Sequence, residues 1–262
     1  MSDKSLLKLC TFNIRLDCGN DGAYNWDQRR DRVFNWIRET QPDVIGFQEV
    51  LPHVKDELEA ALPAYNFVGV GRDKPNEDEA NPVAYRRDRF DLRSAHTFWL
   101  SPTPEVSGSR DPQGSGLPRI CTVAVLRLKE NGKLLRFYNT HLDHVNEPAR
   151  VNGIRTIFSY MKRYEAELSL PSVIVGDFNA RPGGEAMAAF HDEQPIKLVD
   201  CSTLEGCEKQ TTYHGYGQAD GIKIDYIYAT ENCSLERFTL VDESLTGDFL
   251  TDHYPLLAEI SF

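Results

Sequence analysis

The run Val173-Ile174-Val175-Gly176-Asp177-Phe178-Asn179 places chemistry at the end of something rigid. β-Branched residues lead to a glycine, then to Asp-x-Asn, and Pro182-Gly183-Gly184 follows. The pattern reads as a buried strand that delivers one carboxylate and one amide into a turn at its C-terminal end. Strand ends of this kind commonly build active sites, although Asp and Asn are also ordinary turn formers. Other polar residues fall at the ends of strand-like runs: Asn13, Glu49, His141, Asp225 and Asp252-His253. Asp225 interrupts Lys223-Ile224-Asp225-Tyr226-Ile227-Tyr228, a pattern that otherwise excludes charge. Gathered in one pocket, the carboxylates would carry about −4, and burying even one unpaired carboxylate costs several kcal/mol. Such a cluster needs a cation, protonation or histidine partners. Oxygen ligands from Glu, Asp and Asn suit a hard cation such as Mg²⁺ better than zinc, which prefers more His or Cys.

The elements that must position these groups alternate. Residues 6–16 read as a strand, and Asn25 as the cap of a helix beginning at Trp26, with Val33, Trp36 and Ile37 on one face. Arg29 and Arg30 read as solvated or ion-paired, and Trp26 as a packing residue. Residues 43–49 form a short buried strand, and Pro52 opens a helix to about Leu62. Residues 65–70, 82–85, 90–100, 120–128 and 134–141 carry strand-type residues, and Asn131-Gly132 marks a hairpin between the last two. Residues 102–118 form a Pro/Gly/Ser-rich connection, long enough to be mobile or part of a substrate site. A helix over 147–168, a short helix near 185–190 and a strand near 197–199 follow. Residues 222–229 and 235–241 look like a strand pair, and 256–262 is a last strand. So many strands in succession predict one domain over 1–262, a helix-flanked sandwich of two sheets rather than a doubly wound sheet.

The formal net charge is −11, which argues against a protein that coats nucleic acid non-specifically. The first residues are polar, with no apolar leader region, and no run approaches a membrane span. Six cysteines lack zinc spacing and read as free thiols in a reducing, cytoplasmic setting, with Cys201 and Cys207 the only pair placed to close a loop.

Taken in order, Thr11-Phe12-Asn13-Ile14-Arg15, Gln48-Glu49-Val50, Asn139-Thr140-His141-Leu142, Gly176-Asp177-Phe178-Asn179, Ile224-Asp225-Tyr226-Ile227 and Thr251-Asp252-His253 resemble the motifs of the endonuclease/exonuclease/phosphatase (DNase I-like) superfamily. They span nearly the whole chain. The resemblance implies a four-layer α/β/β/α sandwich of two mixed, mainly antiparallel sheets. It also implies metal-dependent phosphoester hydrolysis by in-line attack of water, with Mg²⁺ or Mn²⁺. Glu49 would be the primary metal ligand, with Asn13 beside it and Asp252 as support or ligand of a second ion. Asp177 would orient or deprotonate the water, helped by Asn179. His253 would bind a phosphoryl oxygen or act as base, with Asp225 fixing its tautomer. His141 would contact phosphoryl oxygen or assist the leaving group. Arg119, Asn139 and Asn81 are the expected substrate contacts, and Arg15, Arg86, Arg87 and Arg89 further phosphate holders.

The expected substrate is a small soluble phosphoester met by a monomer without a membrane. The alternatives are a nuclease on DNA or RNA, and an inactive binding scaffold. The scaffold is disfavoured because every motif position keeps its chemical group.

Overall fold

A computed structural model describes residues 5–73, 77–204 and 210–262. In β1 (Leu6–Asn13), Leu7 and Leu9 belong to one buried cluster while Cys10 and Phe12 belong to another. That period-2 alternation is what a strand between two apolar layers requires. Around it the chain runs α1 (Trp26–Thr40), β2 (Val44–Gln48), α2 (Pro52–Ala61), β3 (Tyr65–Val68), β4 (Val83–Arg86), β5 (Phe90–Trp99), β6 (Ile120–Leu128), β7 (Leu134–His141), α3 (Glu147–Glu167) and β8 (Ser172–Asp177). It closes with α4 (Glu185–Asp192), β9 (Leu198–Asp200), β10 (Asp225–Thr230), β11 (Ser234–Leu240), α5 (Glu243–Thr246) and β12 (Leu256–Ser261).

The strands form two six-stranded sheets, ordered β11-β12-β1-β2-β4-β3 and β5-β6-β7-β8-β10-β9. Each is antiparallel except at its centre, where β1 runs parallel to β2 and β7 parallel to β8. Those parallel pairs are bridged by α1 and α3, the crossovers a parallel connection demands. α1 and α2 cover the outer face of the first sheet through Val33, Ile37, Val54 and Leu58. α3 and α4 cover the second through Ile154, Ile157, Met187 and Phe190. The inner faces meet through Leu7, Leu9, Val44, Phe137, Val173 and Val175, giving the α/β/β/α layering.

Close approach of the sheets depends on Gly46, where an added Cβ would lie 2.5 Å from Val175 Cγ2 and 2.8 Å from Asn139 Cγ. Gly46→Ala is expected to destabilise the fold by roughly 1–3 kcal/mol, the scale of overpacking a tight core. A urea midpoint equal to that of the natural protein would contradict it.

Two local readings are corrected. Residues 222–229 and 235–241 do not pair: β10 lies between β8 and β9, both its edges occupied, and β11 joins β12 in the other sheet. Asn25 precedes α1 but its side chain does not cap that helix; its Oδ1 accepts from Asp21 N at 2.8 Å. The expected Asn-Gly hairpin joins β6 and β7. Cys10, Cys18, Cys121, Cys201 and Cys233 are free thiols, while Cys207 lies outside the described residues. No helix among the described residues is long and apolar enough to cross a membrane.

Candidate active site

The alternation that buries Leu9, Val173, Val175 and Ile227 between the sheets carries on to the strand ends, where the inward residues turn polar. Asn13 pairs in register with Gln48, His141 with Asp177, and Asp177 with Asp225. The C-terminal ends of both central parallel pairs therefore open on the same edge of the sandwich. Gly176, at φ +147, precedes Asp177, and a Cβ there would sit 1.9 Å from Thr140 O. Glycine alone lets β8 approach β7 in that way.

Asp177 is the centre. Its Oδ2 accepts from Asn13 Nδ2 at 3.1 Å and lies 3.5 Å from His141 Nε2 and 3.8 Å from His253 Nε2. Its Oδ1 accepts from Asn179 N at 2.8 Å. Asn13 Nδ2 also donates to Glu49 Oε1 at 3.0 Å, while its Oδ1 accepts from Arg15 N. That backbone contact orients the amide, so Asn13 turns its nitrogen, not its oxygen, to the carboxylates. In this arrangement it is a hydrogen-bonding partner of Glu49 and Asp177. Glu49 adopts φ +63, uncommon for a side chain of its kind, and Leu16 N donates to its Oε2 at 2.6 Å. Backbone strain of this sort clusters at functional sites.

His253 Nδ1 is 2.9 Å from Asp225 Oδ2, the expected carboxylate–histidine pair. Burial alone would lower the His253 pKa. The adjacent Asp225, then Asp252 and Asp177, outweigh it and lift the imidazole to about 10. Burial and the nearby Asp225 charge push the Asp177 carboxyl upward. Burial, then the guanidinium of Arg119, holds His141 well below the usual histidine range, and its Nδ1 has no hydrogen-bond partner.

The donor chemistry fits a divalent cation. Ligand atoms of Glu49, His141 and Asp177 lie within 4.8 Å of one another, as do those of Asp177, Asp225 and His253. Like-charge crowding at Asp177 is the electrostatic signature of a place a cation would relieve. Asp252 belongs to neither group. Its Oδ1 accepts from Thr251 Oγ1 at 3.1 Å and its Oδ2 lies 3.7 Å from Arg15 Nε, so it supports the pocket wall.

Glu49, His141, Asp177, Asp252 and His253 line a cavity of about 390 Å³ together with Arg119, Asn179 and Arg15, and Asp225 stands behind His253. Asn139 and Asn81 do not line it. Asn139 is fully buried, its Nδ2 donating to Phe47 O and Pro82 O at 2.7 and 3.0 Å and its Oδ1 accepting from Gln48 Nε2 at 2.6 Å. Asn81 donates to Ile120 O at 3.1 Å inside the fold. Their amides satisfy backbone between strands and are unavailable to a substrate.

Arg86, Arg87 and Arg89 are likewise committed, to Asp88, Tyr65 O and Asp43, at the end of the first sheet away from Glu49. Arg29 is not solvated. It is fully buried and donates to Tyr24 O, Leu250 O and Arg15 O, tying α1 to the site loops.

The cavity also uses residues that sequence reasoning passed over: Arg72, Glu79, His144 and Tyr213. Arg72 pairs with Glu79 and with Asp78, and burial pushes the Glu79 carboxyl up to about 7. Only His144 carried a signal, as the second residue beyond Leu142 in the His141 motif. The connection 102–118 does border the cavity through Leu117, and is held there by Ser115 and Gly116 donating to Asp143 Oδ2.

Two sheets thus close on one edge of carboxylate, amide and histidine side chains whose donors suit a divalent cation. The chain belongs to the endonuclease/exonuclease/phosphatase family, whose model matches residues 10–253. Among solved structures it is similar to a family member from Bacteroides vulgatus, at 31% identity and a TM-score of 0.89 with 98% of each chain covered. It is also similar to mannosyl-6-phosphatase of Bacteroides thetaiotaomicron, at 28% identity and a TM-score of 0.86 over 98% of this chain and 100% of that one. Nocturnin of Drosophila melanogaster is 28% identical over 200 residues, 67% of this chain. The chain spans 29% to 60% of the length of the curated relatives it matches.

Proposed function

We propose that this site hydrolyses a small, soluble phosphoester, with Mg²⁺ as its metal and Mn²⁺ able to replace it. The observation that carries the reading is the convergence of Asn13, His141 and His253 on Oδ2 of Asp177, beside Glu49. A cavity of about 390 Å³, bordered by Leu117 on one side and Tyr213 and Ile222 on another, suits a small molecule better than a polymer groove. The likeness to a mannosyl-6-phosphatase supports the same side.

Glu49 would hold the cation, its carboxylate aligned by Leu16 N–H and the Asn13 amide. A cation held there would supply polarisation of a phosphoryl oxygen and charge neutralisation at the leaving oxygen. Asp177 orients the attacking water and accepts its proton, with Asn179 steadying the other carboxylate oxygen through its backbone N–H. Asp225 accepts the Nδ1 proton of His253, which leaves Nε2 facing Asp177 and the cavity to hold a phosphoryl oxygen. His141 contacts the phosphoryl group from the β7 side.

The deciding assay sets p-nitrophenyl phosphate, bis-p-nitrophenyl phosphate, single-stranded RNA and plasmid DNA side by side, with Mg²⁺ and with excess chelator. Turnover of a p-nitrophenyl ester that disappears in chelator is the expected result. Cutting of nucleic acid at physiological salt, with steep salt dependence, would replace this reading with the nuclease one. Full activity in chelator would count against the metal. Binding should also register without turnover: Mg²⁺ at about 100 times its Kd stabilises the fold by roughly 2.7 kcal/mol. Glu49→Gln should abolish that thermal shift, and an undiminished shift would remove Glu49 from the metal site.

A further inference from the structure

We propose that Arg119 senses charge at this site, so that the enzyme prefers terminal phosphomonoesters of small alcohols to phosphodiesters; this rests on the hydrolytic reading above.

Arg119 precedes β6 and lines the cavity, yet only 6% of its side chain is exposed. Its Nη2 is 2.9 Å from His144 Nδ1, a contact that steers the guanidinium. Its Nε has no hydrogen-bond partner although it is buried. Asp143 Oδ2 lies 3.9 Å away, beyond bonding distance. That carboxylate is already committed: Oδ2 accepts from Ser115 Oγ and Gly116 N, and Oδ1 from Val145 N and Asn146 N. The other guanidinium on this wall, Arg72, is balanced by Asp78 and Glu79. Arg119 is thus a buried guanidinium with Arg72, Glu79, Asp143 and Asp177 as its charged neighbours, and with an N–H that lacks an acceptor. Native proteins seldom leave such a group unsatisfied unless a ligand completes it.

The same cavity is lined by Glu49, Asp177 and Asp252. Phosphate in it would meet both the metal-holding carboxylates and the Arg119 guanidinium. A monoester is close to doubly charged at neutral pH, since the second phosphate pKa is about 6. A diester carries one charge and puts a substituted oxygen where the monoester offers an anionic one. That substituent would take an anionic oxygen away from the Arg119 guanidinium. In the step served, the water oxygen forms a new P–O bond and the ester P–O bond breaks. Its electron pair leaves on the alcohol oxygen, which gains the proton that water gives up, so the products are alcohol and orthophosphate.

The test compares p-nitrophenyl phosphate with methyl p-nitrophenyl phosphate, which share a leaving group and differ by one charge. Arg119→Met should lower the monoester-to-diester ratio of kcat/KM by roughly 10–100-fold, the scale of one charge-assisted hydrogen bond. Arg119→Lys should recover part of it, keeping charge without the planar fork. Equal losses on both esters would overturn the proposal. Should Arg119→Met fail to fold, the natural protein still decides. Orthophosphate should inhibit at least about tenfold more tightly than dimethyl phosphate, and equal inhibition overturns it. Absence of turnover on either ester would sink the hydrolytic reading instead. Calorimetric binding of orthophosphate, weakened in Arg119→Lys or not, then tests Arg119 by itself.

Discussion

Asp177→Asn is expected to lower kcat by roughly 10²–10⁴-fold, the range for losing a positioned acid–base group, and to remove the pH-dependent loss of stability that the buried carboxylate brings to the metal-free protein. Asparagine keeps an oxygen for the Asn179 N–H at Oδ1. It removes the negative charge that Asn13, His141 and His253 surround. Burial and the charge of Asp225 raise the Asp177 pKa above its unfolded value. The folded chain therefore holds that proton longer than the unfolded one. Without metal, the contribution of this group to stability falls as pH rises from the ordinary carboxylate range upward. Asparagine cannot ionise, so the variant escapes that loss. Kinetics with Mg²⁺ and thermal melts in chelator from pH 5 to 8 read both halves. Near-normal turnover in a folded variant would remove Asp177 from the chemistry. A melting point that depends on pH as steeply in the variant as in the natural protein would show that the Asp177 charge is not the source of that loss.

Asn139→Ala should have the opposite profile, a large loss of stability with KM unchanged in the folded fraction. The side chain bridges the sheets from β7, donating to Phe47 O and Pro82 O and accepting from Gln48 Nε2. Truncation leaves buried backbone carbonyls and a buried amide short of partners. At about 1–3 kcal/mol for each unsatisfied group, the total is roughly 3 kcal/mol or more. Urea unfolding measures it. A raised KM with an unchanged midpoint would return Asn139 to the substrate contacts that its motif position suggests.

Asn139 also marks where a linear reading stops. It sits two residues before His141, so strand alternation gives both the same face. Face alone does not separate a residue at the rim from one a step deeper, whose neighbours are the backbone of the other sheet. Asn81 lies in irregular chain before β4, and its partner, Ile120 O, belongs to the other sheet. The arginines of β4 and beyond looked free because their partners, Asp43 and Tyr65 O among them, lie on other strands or in other connections. Arg72 and Glu79 went unnoticed for the complementary reason. They occupy irregular chain without a motif, and only packing turns their side chains toward the cavity.

Within the sequence itself lay the strands, their burial periodicity and the polar residue at each strand end. These are local consequences of side-chain shape and of a backbone whose successive residues face opposite ways. From them followed the sandwich and the metal-suited carboxylates, while the family resemblance joined Asp177, Asp225 and His253 as one group. What tertiary structure decided was distance and company. It put Asp177 Oδ2 among three donors, turned the Asn13 amide nitrogen toward Glu49 and Asp177, and left Arg119 Nε buried without an acceptor. The physical reason is that desolvation and charge pairing depend on neighbours far apart in the chain, which come together only when the two sheets close.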